Sequence, residues 1–185
     1  MRIVAGKFRG KQLATPQGQD IRPTADRVRE AVFSIVASRI GTHFAGQRVL
    51  DLFAGTGAMG LEALSRGADH AIFVDTGIEA RGLIRGHIEA FGVGGTTRLL
   101  RRDATDLGPT ERLKPATLVF ADPPYGQGLG EKAIASALDG GWIAPGALIV
   151  LEEKKGVVIA APEGTRIVDA RDYGDTTVTL LEVEG

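Results

Sequence analysis

The run Ala121-Asp122-Pro123-Pro124-Tyr125 combines a carboxylate, two residues without an amide proton and an aromatic ring. Paired prolines fix φ and withdraw two backbone donors, which leaves the carbonyls around them as acceptors. An exocyclic amine on a base is a poor nucleophile because its lone pair is delocalised into the ring. If the Asp122 carboxylate and the Pro123 carbonyl accept its two N–H bonds, the nitrogen pyramidalises and its lone pair can be aimed at an electrophile. The same acceptors stabilise the positive charge that develops on nitrogen, so alignment and preorganised electrostatics act together. Tyr125 offers a face on which a base taken out of its stack can lie, a contact worth roughly 1–3 kcal/mol. This chemistry calls for neither a metal nor a covalent intermediate.

The electrophile is indicated some seventy residues earlier, in Asp51-Leu52-Phe53-Ala54-Gly55-Thr56-Gly57-Ala58-Met59-Gly60. Gly55, Gly57 and Gly60 satisfy GxGxxG, a glycine turn that lets backbone approach a ligand at a helix N-terminus. Alone, that pattern suits a nicotinamide dinucleotide equally well, with an acid about 20 positions on to grip a ribose hydroxyl. Asp75 meets that requirement for either cofactor. Asp51 separates the two, because a carboxylate at the strand end would repel a pyrophosphate but pair with the ammonium of S-adenosylmethionine. Asp51, Phe53, Gly55, Thr56, Gly57 and Asp75 are therefore the candidate cofactor residues. Asp103, with Ala104 beside it, follows another strand at the same sheet edge and reads either as an adenine contact or as a helix N-cap.

These groups need a parallel sheet to bring them together. From Gln47 onward short apolar runs alternate with helix-like stretches, the pattern of consecutive βαβ units. Strands are predicted at Arg48–Phe53, Ala71–Asp75, Thr97–Arg101, Leu118–Ala121 and Ala147–Glu152, with helices at Met59–Arg66, Ile78–Phe91, Thr105–Leu113 and Glu131–Leu138. Arg166–Ala170 and Thr176–Val183 are separated by five residues, too few for a helix, and are predicted to form an antiparallel pair at the sheet edge. Before the sheet, Arg2–Ala5 and Gln12–Ala14 flank a Gly-bounded turn and read as a small hairpin. Apolar residues then recur at helical spacing from Val28 to Ile40, with Thr24 as N-cap and Gly41 as stop.

The chain has 185 residues, no cysteine and a formal net charge of -1. That length suits one α/β domain, and the lack of cysteine excludes a disulfide framework, a thiolate zinc site and a cysteine nucleophile. No apolar run reaches the roughly 18–20 residues of a membrane span, and the N-terminus lacks a signal-peptide core, so a cytoplasmic protein is expected. Charge is unevenly placed: in residues 1–30, Arg2, Lys7, Arg9, Lys11, Arg22, Arg27 and Arg29 outnumber Asp20, Asp26 and Glu30. A basic arm on an acidic body focuses positive potential where a phosphate backbone could bind.

Arg22-Pro23-Thr24 with its helix, Asp51 to Gly67, and Asp122-Pro123-Pro124-Tyr125 together resemble the RsmD family of bacterial ribosomal RNA methyltransferases. The resemblance implies the class I S-adenosylmethionine-dependent methyltransferase fold, Rossmann-like, with a mostly parallel seven-stranded sheet and an antiparallel edge strand. It implies two parts, an RNA-contacting extension over 1–45 and a methyltransferase domain over 46–185. It also implies methyl transfer to guanine-N2 in 16S rRNA of the small ribosomal subunit, with no membrane or metal involved. Asp122, Pro123 and Tyr125 would then act on the base, and Arg2, Lys7, Arg9, Lys11, Arg22 and Thr24 would touch RNA. Asp75 stands where the family more often has Glu, and Thr56 where it has Ser. His87 takes a position expected to hold Asn and reads as a surface helix residue. A DNA adenine or cytosine amino-methyltransferase uses the same tetrapeptide chemistry, and a nicotinamide-dependent oxidoreductase remains the alternative from another class.

Overall fold

The computed structural model describes residues 1–18, 21 and 24–185. Among them, seven strands form one sheet: β1 (Arg48–Leu52), β2 (His70–Val74), β3 (Thr97–Leu100), β4 (Ala116–Ala121), β5 (Ile143–Lys154), β6 (Thr165–Tyr173) and β7 (Thr176–Val183). Their order is β3-β2-β1-β4-β5-β7-β6. Strands β1 to β5 pair in parallel, and β7 pairs antiparallel with both β5 and β6. The reversed strand is thus β7, one place in from the edge, while β6 forms the edge itself. Helices α1 (Asp26–Ile40), α2 (Ala58–Ser65), α3 (Ile78–Phe91) and α4 (Leu129–Asp139) complete the fold. This is the expected class I, Rossmann-like architecture, and it follows from strands that are apolar on both sides and so need cover on both.

Two apolar layers provide that cover. One face of the sheet packs Phe73, Phe120 and Val150 against Val32, Phe33, Leu61, Leu64 and Ile84 of α1, α2 and α3. The other packs Leu50, Val74, Val119 and Leu151 against Ala133, Ile134 and Trp142. Parallel register sets Asp51 beside both Phe73 and Phe120, and Ala121 beside Leu151, so the C-terminal ends of β1, β2, β4 and β5 form one rim.

The N-terminal segment joins the first layer, with Ile3 and Leu13 buried in it. The predicted hairpin reduces to one antiparallel bridge between Arg2 and Gln12, with main-chain bonds from Ile3 to Lys11 (3.0 Å) and from Leu13 to Met1 (2.9 Å). Its stability comes from α2. The fully buried Glu62 carboxylate accepts the amides of Val4 (2.9 Å) and Ala5 (3.1 Å) and the Nε–H groups of Arg29 (3.2 Å) and Arg66 (3.0 Å). A β-carbon at Gly6, whose φ is +89°, would lie 1.9 Å from the Ser65 carbonyl oxygen, so only glycine permits this approach.

Three expectations fail for local reasons. Thr105–Leu113 is not helical, because Gly108-Pro109 interrupts it: proline disfavours helix in the residue before it, and Gly108 adopts φ +70°. The segment is held instead by Ser136 Oγ on the Leu107 amide (2.8 Å) and Trp142 Nε1–H on the Gly108 carbonyl (2.7 Å). Thr24 does not cap α1, whose N-cap is Ala25 with no side-chain bond, although Gly41 at φ 94° does end the helix. Arg29 is fully buried and bonded to Glu62, Asp26 (3.1 Å) and the Arg2 carbonyl, so it belongs to the core and not to the basic surface.

Candidate active site

Strand order reverses between β1 and β4, and ligands of doubly wound sheets bind outside the strand ends at such a switch. A cleft of about 690 Å³ opens there, lined by Asp51 of β1, Phe53, Gly55 and Thr56 from the loop after it, Asp75 after β2, and Asp122, Pro123 and Tyr125 from the segment after β4. Strand and helix hold the first loop tightly. Asp51 is buried at the end of β1, and its Oδ2 accepts the Gly60 amide at 3.1 Å. A β-carbon on Gly60 would lie 2.5 Å from the Phe73 ring and 3.3 Å from Asp51 Oδ2, so glycine lets α2 sit close to the sheet and to this carboxylate. Phe53 adopts φ 55°, an uncommon left-handed conformation for a non-glycine residue, at the point where β1 turns into the loop. Asp75 closes the turn by accepting the amides of Gly55 (2.9 Å) and Gly77 (2.8 Å).

The second half of the cleft is braced from outside. Beyond Pro124, the Gly126 amide donates to buried Glu153 at 3.0 Å, and the Tyr125 hydroxyl bonds Thr176 Oγ1 at 2.6 Å. Pro123 is buried, whereas Asp122 and Tyr125 are half-buried and border the cleft.

Comparison with known proteins accords with this geometry. A family described as Conserved hypothetical protein 95 matches residues 1–182. YlbH of Bacillus subtilis is 32% identical over 189 residues, covering 100% of both chains. Ribosomal RNA small subunit methyltransferase D of Escherichia coli is 36% identical over 154 residues, 83% of this chain and 75% of that protein. The solved structure of Escherichia coli yhhF superposes with a TM-score of 0.83 at 32% identity, covering 100% of this chain and 98% of that one. The chain belongs to the RsmD family. S-adenosylmethionine is the cofactor expected of an RsmD-family protein with this fold.

The cleft fits that cofactor on electrostatic grounds. Burial pushes the Asp51 carboxyl well above its ordinary value, the Gly60 amide opposes this, and the charges of Asp122 and Asp75 push it further up. Carboxylates crowded into one cavity favour a cationic ligand, and an ammonium beside Asp51 would restore its charge. Ile78, at the start of α3, is 83% exposed and lines the same cleft, leaving apolar surface for a ring to cover.

Not every candidate reaches the cleft. Gly57 is buried outside the cleft lining and serves as the left-handed N-cap of α2. Asp103 is exposed, accepts the amide (2.8 Å) and hydroxyl (2.7 Å) of Thr105 in a turn, and lies outside the cleft lining together with buried Ala104. Those bonds hold the Asp103 carboxyl below its ordinary value. Because no helix follows, its N-cap reading fails too. Thr24 lines the cleft, whereas Arg2, Lys7, Arg9 and Lys11 are exposed outside it and Arg22 lies outside the described residues.

Two residues escaped the sequence reading. Glu152 on β5 is buried and lines the cleft, next in register to Asp122 when the β4–β5 pairing is extended by one residue. The signal was an acid at the C-terminal side of an apolar run, as with Asp51 and Asp122. His87, expected on the surface, is buried: its ring Nε2 accepts the Ala14 amide at 2.8 Å and its Nδ1 meets the Thr56 carbonyl at 2.9 Å. Its spacing with Ala80, Ile84 and Phe91, the buried face of α3, could have flagged it.

Proposed function

We propose that this chain transfers a methyl group from S-adenosylmethionine to the exocyclic N2 of a guanine in 16S rRNA of the small ribosomal subunit. One observation carries the reading: Asp122, Pro123 and Tyr125 border the same cleft as Asp51, Gly55 and Asp75. The relative named ribosomal RNA small subunit methyltransferase D supports RNA of the small subunit as the substrate class.

When bound, the cofactor supplies an electrophilic methyl group on a sulfonium. Asp51 holds the ammonium of its amino-acid end, and Asp75 is the carboxylate for the ribose hydroxyls. The Asp122 carboxylate and the Pro123 carbonyl accept the two N–H bonds of the base amine, which orients its lone pair and stabilises the charge it acquires. Tyr125, steadied through Thr176, stacks on the extruded base. Exposed Arg2, Lys7, Arg9 and Lys11 meet phosphates, which position the RNA without reading its sequence. Arg22 and Thr24 are the further candidates for RNA contact, and residues 1–45 act as the RNA-contacting extension of a methyltransferase unit over 46–185.

The test is transfer of a tritiated methyl group to small subunits purified from a strain lacking the enzyme, followed by nucleoside analysis. N2-methylguanosine is the expected product. A methylated adenine or cytosine amine, or labelling of duplex DNA in place of the subunit, would reject guanine-N2 of 16S rRNA as the target.

A further inference from the structure

His87 sits where two segments of different duty meet. Ala14 belongs to the N-terminal arm and Thr56 to the glycine loop, and the imidazole bonds the backbone of both. Because a carbonyl only accepts and an amide only donates, the ring must be neutral, with its proton on Nδ1 and its Nε2 lone pair taken by the Ala14 amide. Burial pushes the imidazole below its ordinary value, in keeping with that form, while the Thr56 bond opposes the shift.

The surroundings of the ring are apolar. Leu83, Ile84, Ala90 and Phe91 are the residues one turn away on its own helix, and the Phe91 ring lies 6.2 Å from the imidazole. From the arm, Lys11 stands beyond Phe91, with Nζ 5.2 Å from that ring and 3.4 Å from the Ala90 carbonyl. From the glycine loop the facing group is the uncharged Thr56. Among the described residues no carboxylate pairs with the imidazole.

We infer that His87 is a positioning residue for the cofactor loop, pinning Thr56 and coupling the loop's shape to the seating of the N-terminal arm. The arm continues over the same rim: the amides of Gln17 and Gly18 bond Glu79 at the start of α3, and Ile21 reaches the position where a Gly55 β-carbon would lie, 3.3 Å away. A displaced arm would therefore release the loop at Thr56 and uncover it at Gly55. Coupling of this kind is reciprocal, so a filled cofactor loop also favours the seated arm.

The inference rests on reading Gly55-Thr56-Gly57 as the cofactor loop, and two variants separate it from that reading. H87N keeps one donor and one acceptor on a side chain that cannot be protonated, whereas H87F keeps a ring and removes both bonds. Binding of S-adenosylhomocysteine is followed by calorimetry from pH 8 to pH 5, with the thermal midpoint of each variant recorded. At pH 8, H87F is expected to bind about tenfold more weakly, and H87N within about threefold of the natural protein. On acidification, a proton on Nε2 turns that nitrogen against the Ala14 amide. The natural protein should then lose affinity more steeply than H87N, and acid effects arising at the cleft carboxylates are common to both. Equal acid loss in the two proteins, or normal affinity in a folded H87F, would overturn the inference. If the natural protein itself does not bind S-adenosylhomocysteine, the proposed function fails instead. Should H87F not fold, the comparison of pH profiles still decides.

Discussion

The two halves of the cleft hold their carboxylates by different means. Asp51 is enclosed by core packing: its position follows from the Gly60 approach to Phe73 and from an amide of α2. Asp122 follows β4 at the open side, in a loop tied to Glu153 and Thr176. A charge in an enclosed place interacts strongly with whatever ligand arrives. A charge in a braced, accessible loop can meet a large substrate. Binding and chemistry should therefore be separable by mutation.

The largest effect is expected from Asp122→Ala, which should reduce methyl transfer by about 10²–10³-fold while leaving S-adenosylhomocysteine affinity near normal. A large loss of affinity would erase the contrast between the halves. Asp51→Asn should do the reverse, weakening cofactor binding by about 10–100-fold in calorimetry, the value of a hydrogen bond to a charged group. The pH dependence sharpens this. Since the Asp51 carboxyl is raised above its unfolded value, it favours folding while protonated and opposes it as pH rises through the raised value. A cationic ligand removes that opposition, so thermal stabilisation by the cofactor should grow as pH climbs out of the carboxylate range. D51N should abolish the growth.

Gly60→Ala tests the enclosure itself. Its methyl group overlaps the Phe73 ring, and a loss of about 1–3 kcal/mol in unfolding free energy is expected, together with weaker cofactor binding. The smallest effect belongs to the brace. Thr176→Val removes the partner of the Tyr125 hydroxyl, and kcat/KM for the RNA substrate should fall about threefold with cofactor affinity unchanged.

The enclosed half was easier to read in the sequence than its surroundings. Asp51, the glycines and Asp75 follow one another along the chain, so spacing alone reveals their unit. Asp122 carries its chemistry in adjacent residues. Glu152 is different: its place beside Asp122 depends on the β4–β5 register, which no local pattern records. His87 is harder still, since its partners come from 73 and 31 residues away. Arg29 looked like part of a basic surface because charge counts do not register burial, and Glu62, which neutralises it, lies 33 residues on. Thr105–Leu113 reads as a helix between two strands, yet Gly108-Pro109 settled the backbone, and Ala104 and Leu107 are buried from a loop.

Because β7 runs against its neighbours, it enters the sheet at the rim where the parallel strands leave it, and Thr176 is its first residue. The tail of the chain thus contributes to the reactive edge, although it lies farthest in sequence from the cofactor loop. On the proposed function, a substitution in the β6–β7 hairpin would retune base handling without disturbing the half around Asp51 and the glycine loop.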